Sequence, residues 1–153
     1  EARALESGDD ATWAATCEAP IRSALFVCQA AHTQMRARGG RIVLVTPTLS
    51  LSGAAGFVAL SSACEAIRIL AKSAARRWGA LGITVNCIAP DASLLAAGAA
   101  RVGREQGLGT PALGTLGDAR ADIAPLVAAL ASEAGHFLTG ETLRVDGGVW
   151  FAG

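Results

Sequence analysis

Apolar residues recur through residues 57–80 at Leu60, Cys64, Ile67, Ala71, Ala74 and Trp78, alternating steps of four and three. That spacing puts all six on one stripe of a long helix. Two other segments have a different rhythm. Arg41-Ile42-Val43-Leu44-Val45-Thr46 and Ile83-Thr84-Val85-Asn86-Cys87-Ile88 are short runs rich in β-branched residues, closed by Pro47 and by Pro90 two residues on. Continuous runs of this kind read as strands covered on both faces. A third strand is expected over residues 141–146.

Punctuation places the remaining helices. Asp9 and Asp10 can cap a helix running to about Arg38, where Gly39-Gly40 stops it. Pro20 lies inside that helix and lacks a donor, so a kink or break is expected over residues 16–20. Asp118 or its neighbour opens another helix through about Ser132. Residues 91–117 are rich in Gly and Ala with weak periodicity and read as a mobile loop with room for a short helix. The order α-β-α-β-loop-α-β predicts parallel strands joined by right-handed crossovers, an α/β layer structure. A chain of 153 residues has room for one domain, here taken as 1–153.

Composition narrows the chemistry. The chain is 52% hydrophobic and 17% charged, and its thirteen basic side chains balance its thirteen acidic ones. No net field attracts nucleic acid or an anionic membrane. There is no Tyr, and Lys72 is the only lysine, so no phenol is available as a proton donor. Cys17, Cys28, Cys64 and Cys87 form no C-x-x-C pair and sit mostly among apolar neighbours, which reads as reduced thiols in a cytoplasmic protein. His32 and His136 have no companions at metal-ligand spacing, so no metal site is expected. No apolar run approaches the length of a membrane span, which predicts a soluble protein. The chain starts on Glu1, in mid-pattern, which suggests processing or truncation.

Several motifs then carry a specific resemblance. Gly40-Arg41-Ile42-Val43, Gly82-Ile83-Thr84-Val85-Asn86-Cys87-Ile88-Ala89-Pro90, Phe137-Leu138-Thr139-Gly140-Glu141 and Val145-Asp146-Gly147-Gly148 resemble the later part of the classical short-chain dehydrogenase/reductase (SDR) family. The resemblance implies a Rossmann-like parallel sheet with helices on both faces, its upstream dinucleotide-binding strands preceding the matched region. It also implies NAD(P)-dependent oxidoreduction, in which a Tyr acts as acid or base, a Lys lowers its pKa and holds the ribose, a Ser orients substrate and an Asn supports a proton relay.

Carried over residue by residue, these roles fall on Pro47 for the Ser, Leu60 for the Tyr, Cys64 for the Lys and Pro20 for the Asn. None of the four supplies its group, so no catalytic residue is expected. Leu60 and Cys64 read as packing, and Cys64 as a nucleophile lacks any nearby cation or histidine. Thr46, Ser61 and Ser62 stand where ligands bind in open α/β sheets, although such hydroxyls more often cap helices or satisfy loop backbone. Pro90 matches the proline that flanks the nicotinamide, while Asp91 replaces the glycine after it. These two are the only cofactor-binding candidates. Gly103-Arg104-Glu105-Gln106-Gly107-Leu108-Gly109 has phosphate-loop spacing but follows no strand, so it and Arg101 read as solvated loop.

The expected function is therefore that of a catalytically degenerate SDR-like protein, a structural or regulatory subunit of an oligomer. Homo- or hetero-oligomeric SDR-type partners are expected, with no nucleic acid and no membrane. No cofactor is expected for the chain alone, and NAD(P) only if an upstream phosphate loop or a partner supplies the site. An oxidoreductase completed in that way is the alternative, and binding of a dinucleotide or acyl ligand without turnover is a third. The family associates through two long helices, here 10–38 and 57–80, and its C-terminal strand. Ala71, Ala74, Ala75 and Val149-Trp150-Phe151 are the expected docking residues.

Overall fold

The computed structural model describes residues 4–95 and 110–151. Three strands, β1 (Gly40–Val45), β2 (Ile83–Pro90) and β3 (Thr142–Val145), form one parallel sheet in the order β1-β2-β3. Helices α2 (Ala19–Met35) and α3 (Val58–Trp78) cover one face, and α4 (Ala124–Ala131) covers the other. The expected α/β layering of parallel strands is present.

β2 is buried along its whole length. Its side chains alternate between two cores, as a strand covered on both faces requires. Ile83, Val85 and Cys87 meet Cys28, Ala71, Ala74 and Ala75 on the α2–α3 side. Ile88 meets Ile123 and Leu130 on the α4 side. β1, apolar on both faces, is expected at the edge of the sheet because the family's neighbouring strand lies upstream of the matched region, and it is found there. Among the described residues it pairs on one side only, Gly40↔Ile83 through Val45↔Ile88, so its outer edge is bare and Val45 is 47% exposed.

The helix over residues 10–38 contains the expected irregularity at Pro20, and the structure gives its form. A first turn, α1 (Asp10–Trp13), is capped by Asp9 and passes into a π-helical turn over Ala14–Glu18, in which the Ala19 N–H donates to the Ala14 carbonyl. Pro20 then falls in the first turn of α2, where a missing N–H has no helical partner to lose. The same device recurs downstream: Asp118 caps a π turn over Ala119–Ile123, and Pro125 sits at the start of α4.

The long stripe of α3 corrects one expectation. Ala71, Ala74 and Ala75, foreseen as a docking face, are buried inside the chain against β2. Their small side chains let the helix lie close to the sheet, so they are spent on the internal core. Trp78 stacks on His32 of α2 with ring centroids 4.8 Å apart. Large apolar side chains left exposed include Leu25, Phe26 and Val27 on α2, Ile69 on α3, and Phe137 and Phe151.

Two glycine turns fix the strand ends. Gly39 has φ +74°, and a Cβ there would lie 2.8 Å from the Gly82 carbonyl oxygen, so the turns into β1 and β2 approach as only glycine permits. After β3, the buried Asp146 carboxylate accepts from the N–H groups of Gly148 (3.0 Å) and Trp150 (3.1 Å). Gly147, φ +66°, makes that recurved turn possible.

β3 is short, and side chains finish its seam with β2. The Asn86 amide donates to the Leu138 carbonyl (2.7 Å) and accepts from the Glu141 N–H (3.1 Å), while the Thr139 hydroxyl accepts from the Val85 N–H (3.0 Å). Asn86→Ala orphans two backbone groups at a side chain that is 1% exposed. It is expected to lower the unfolding free energy by about 2–4 kcal/mol, read as a reduced urea midpoint with an unchanged m-value.

Candidate functional site

The carboxyl ends of β1 and β2 and the first half of α3 form the region where open α/β sheets bind ligands. The chain leaves β1 through Thr46, whose N–H donates to the Ile88 carbonyl (3.0 Å). It then turns at Pro47 into a 3-10 helix over Thr48–Ser52. The Thr48 hydroxyl reaches across to the Pro90 carbonyl (3.4 Å), joining the loops that follow the two strands.

At the centre of this region lies Arg68, 4% exposed. Its guanidinium donates to the carbonyls of Pro47 (2.7 Å) and Thr46 (3.3 Å), and it also engages the Ser50 hydroxyl and the Glu65 carboxylate. A fork of N–H donors suits this bridging geometry. Arg68 was not foreseen from the sequence, although a signal was there. It lies four residues after Cys64 and three before Ala71, in step with the apolar stripe, where a solvated charge has no place.

Arg68 also corrects the reading of Cys64, which does have a cation beside it. Cys64 is buried, and burial pushes its thiol up. The Arg68 charge pulls it down, the Glu65 carboxylate pushes it up, and a hydrogen bond with Ser50 pulls it down; the net result is a thiol above its ordinary value. Desolvation therefore outweighs the neighbouring cation, and the thiolate is not favoured. Cys87 is raised for the same leading reason.

Pro47, Cys64 and Arg68 meet around Ser50. Leu60, one turn earlier on α3, instead lines a cavity together with Trp13 and Phe57. Pro20 lies just beyond the π turn that packs on α3. Thr46 and Ser61 were foreseen as capping or backbone-satisfying hydroxyls. Neither Thr46 Oγ1 nor Ser61 Oγ makes a hydrogen bond among the described residues, and no side chain caps α3. Asp91, half-buried, turns its carboxylate onto the Ser93 N–H (2.8 Å) and caps a short 3-10 turn over Ala92–Leu94. The Gly103–Gly109 segment, with Arg101 and Arg104, lies outside the described residues. Among the described residues no group of three or more His, Cys, Asp or Glu side chains is placed to share a metal ion, and no helix is long and apolar enough to cross a membrane.

Comparison with known proteins agrees with this architecture. The family model described as "Enoyl-(Acyl carrier protein) reductase" matches residues 1–150. The 3-oxoacyl-[acyl-carrier-protein] reductase FabG of Salmonella typhimurium is 33% identical over 147 residues, 92% of this chain and 59% of the relative. A short-chain type dehydrogenase/reductase of Picea abies is 30% identical over 128 residues, 80% of this chain and 47% of the relative. Among solved structures, acetoin dehydrogenase YohF from Salmonella typhimurium superposes with a TM-score of 0.82 at 26% identity, covering 100% of this chain and 61% of that one. A putative short-chain alcohol dehydrogenase from Sinorhizobium meliloti gives 0.86 at 26% identity, covering 97% and 61%. The chain thus spans about half to three-fifths of the length of these relatives. With a parallel sheet helix-covered on both faces and a family match along nearly its whole length, it is a Rossmann-like α/β chain that belongs to the short-chain dehydrogenase/reductase family.

Proposed function

We propose that this chain is a catalytically degenerate member of its family, serving as a structural or regulatory subunit of an SDR-type oligomer in the cytoplasm. The observation that carries the proposal is the chemistry at the matched positions. Leu60 is an apolar wall beside Trp13 and Phe57 rather than a proton donor, and Cys64 is a buried thiol held protonated. Pro47 and Pro20 add no side-chain polar atom. A general acid needs a titrating group within reach of the substrate, and of these four positions only Cys64 titrates, through a thiol buried against Ser50 and Arg68.

The same residues do not fit a nicotinamide dinucleotide. No side chain at Leu60 or Cys64 can donate to a ribose in place of a lysine. Among the described residues the one buried cation, Arg68, is turned inward onto the Thr46 and Pro47 carbonyls. At the position of the nicotinamide-flanking glycine stands Asp91, a carboxylate committed to its own turn. Exposed Leu25, Phe26 and Val27 on α2, with Trp150 and Phe151 near the C-terminus, supply the apolar surface that subunit contact would cover. Four free cysteines suit a reducing compartment.

One observation favours a second reading, an NAD(P)-dependent oxidoreductase completed by an upstream segment or partner chain. β1 is a bare edge among the described residues, and the chain covers only part of its relatives. In that reading Pro90 and Asp91 flank the nicotinamide, and the proton donor comes from elsewhere.

Three measurements test the proposal. The purified chain, with NADH or NADPH and a panel of ketones, aldehydes and alcohols, is expected to show no hydride transfer above background. The triple variant Pro47→Ser, Leu60→Tyr, Cys64→Lys is expected to stay inactive, because groups that act as a unit are not restored piecemeal. Steady turnover by the unmodified chain alone overturns the proposal, and turnover that arises only with an added partner subunit or upstream segment favours the second reading. In sedimentation, the protein is expected to run as an oligomer, and Phe26→Ser combined with Phe151→Ala is expected to shift it to smaller species; a wild type that is monomeric at all concentrations contradicts a subunit role. Finally, thiols raised in the folded state contribute stability that is complete below their unfolded pKa and is lost as pH rises through the folded one. The urea midpoint is accordingly expected to fall above about pH 9, and to fall less in Cys64→Ala.

A further inference from the structure

The charges of this chain cancel in number but not in space. Because the three strands are parallel, the helices that lead into them all end at the amino end of the sheet. α2 passes through Arg36 and Arg38 to β1, α3 through a 3-10 turn over Gly79–Leu81 to β2, and α4 through a 3-10 turn over Glu133–Gly135 toward β3. That end gathers Arg36, Arg38, Arg41, Lys72, Arg76 and Arg77, against the carboxylates of Glu133 and Glu141 among the described residues. Arg38, Arg41 and Leu81 share one concavity with Glu133, and Arg41 pairs with Glu133 at 3.6 Å. Lys72 and Arg76, one turn apart on α3, share a second with Thr139 and Glu141. Asp91, Asp118, Asp122 and Asp146 lie at the opposite end, after β2, before α4 and after β3.

Apolar side chains stand among these cations. Phe137 lies in the chain between Glu133 and Thr139, which line the two concavities, and it is 93% exposed. Leu81 is 44% exposed. The backbone beside Phe137 is held: Leu138 packs against the core around Ile88, and its carbonyl accepts from the Asn86 amide (2.7 Å). A pinned chain thus presents an almost fully solvated ring. The helix dipole favours cations in a last turn, but it gives no reason for an exposed Phe and Leu beside them.

We propose that the amino end of the sheet docks on an anionic lipid bilayer, with Arg38, Lys72, Arg76 and Arg77 over the headgroups and Phe137 and Leu81 entering the boundary with the acyl chains. Binding at such an interface scales with the apolar area inserted and with the attraction of basic side chains to anionic lipid. A chain of balanced charge can bind in this way because that attraction decays within about 8–10 Å at physiological salt, so the bilayer acts on the near end and not on the far one. Nucleic acid or an acidic protein would also meet the arginines, but acyl chains give Phe137 and Leu81 a place out of water. The contact needs no membrane-spanning helix. It uses a surface apart from Leu25, Phe26 and Val27, so it stands or falls separately from the subunit role proposed above.

The test is flotation of the whole protein with vesicles of phosphatidylcholine alone and of phosphatidylcholine mixed equally with phosphatidylglycerol. At low salt, partition into the mixed vesicles is expected to exceed partition into phosphatidylcholine by about tenfold, and molar salt is expected to remove most of that excess. Arg38→Glu combined with Arg76→Glu is expected to abolish the excess at low salt. Phe137→Ser is expected to weaken binding to the mixed vesicles about fivefold. These positions are exposed, so both variants are expected to keep the wild-type urea midpoint and sedimentation, which separates loss of docking from loss of folding or of assembly. The proposal is overturned if the protein binds neither kind of vesicle, if it binds both equally, if either variant floats as the wild type does, or if a DNA duplex or polyglutamate is bound more tightly than the mixed vesicles.

Discussion

The complete burial of β2 is the constraint on which the other elements depend. Its eight residues are enclosed by β1 on one edge, β3 on the other, α2 and α3 on one face and α4 on the second. A buried strand must have its backbone groups paired and both side-chain faces covered. The parallel register with β1 meets the first demand along one edge. Along the other, β3 is too short, and Asn86 and Thr139 complete the pairing with side-chain hydrogen bonds. The alanines of α3 meet the second demand by letting the helix lie directly on the sheet.

The polar groups inside this apolar chain hold its loops in place. Asn86 closes the β2–β3 seam, Asp146 caps the turn after β3, and Arg68 clamps the segment that leaves β1 to the helix that follows. Each is buried with charge or amide groups largely matched, which is how such groups are tolerated away from water. Arg68 has the further effect of placing a cation beneath the family's reactive position, beside Cys64. Burial dominates there, so the thiol remains protonated and the cation does structural duty.

At the carboxyl end of the sheet, the fold of the short-chain dehydrogenase/reductase family is present, and Pro47, Leu60 and Cys64 there are apolar or packed among neighbours. Fold and chemistry are separable because the sheet depends on β2 and its coverings, whereas catalysis depends on a few side chains at the strand ends. That end of the sheet holds an apolar cavity beside Leu60 and the inward-turned Arg68 clamp beside Cys64.

Much of the fold was legible in the sequence, because it is written in local patterns. The four-three stripe of α3, the β-branched runs of β1 and β2, the Asp118 cap and the break before Pro20 are each determined by neighbours within a few residues. So were the motifs that mark the family, and the chain's lack of tyrosine is read directly from its composition. Tertiary structure alone decided the rest. Ala71, Ala74 and Ala75 are equally suited to a core or to an interface, and only the position of β2 against them puts them inside. That β1 would be an edge follows from the matched motifs, but the half exposure of Val45 on it is set by the sheet and not by its neighbours in sequence. Arg68 reads as one more charge on a helix until the Thr46 and Pro47 carbonyls, some twenty residues earlier, fold back onto it. Periodicity fixes which side of a helix a residue faces, but what it faces is a long-range contact that no local pattern contains.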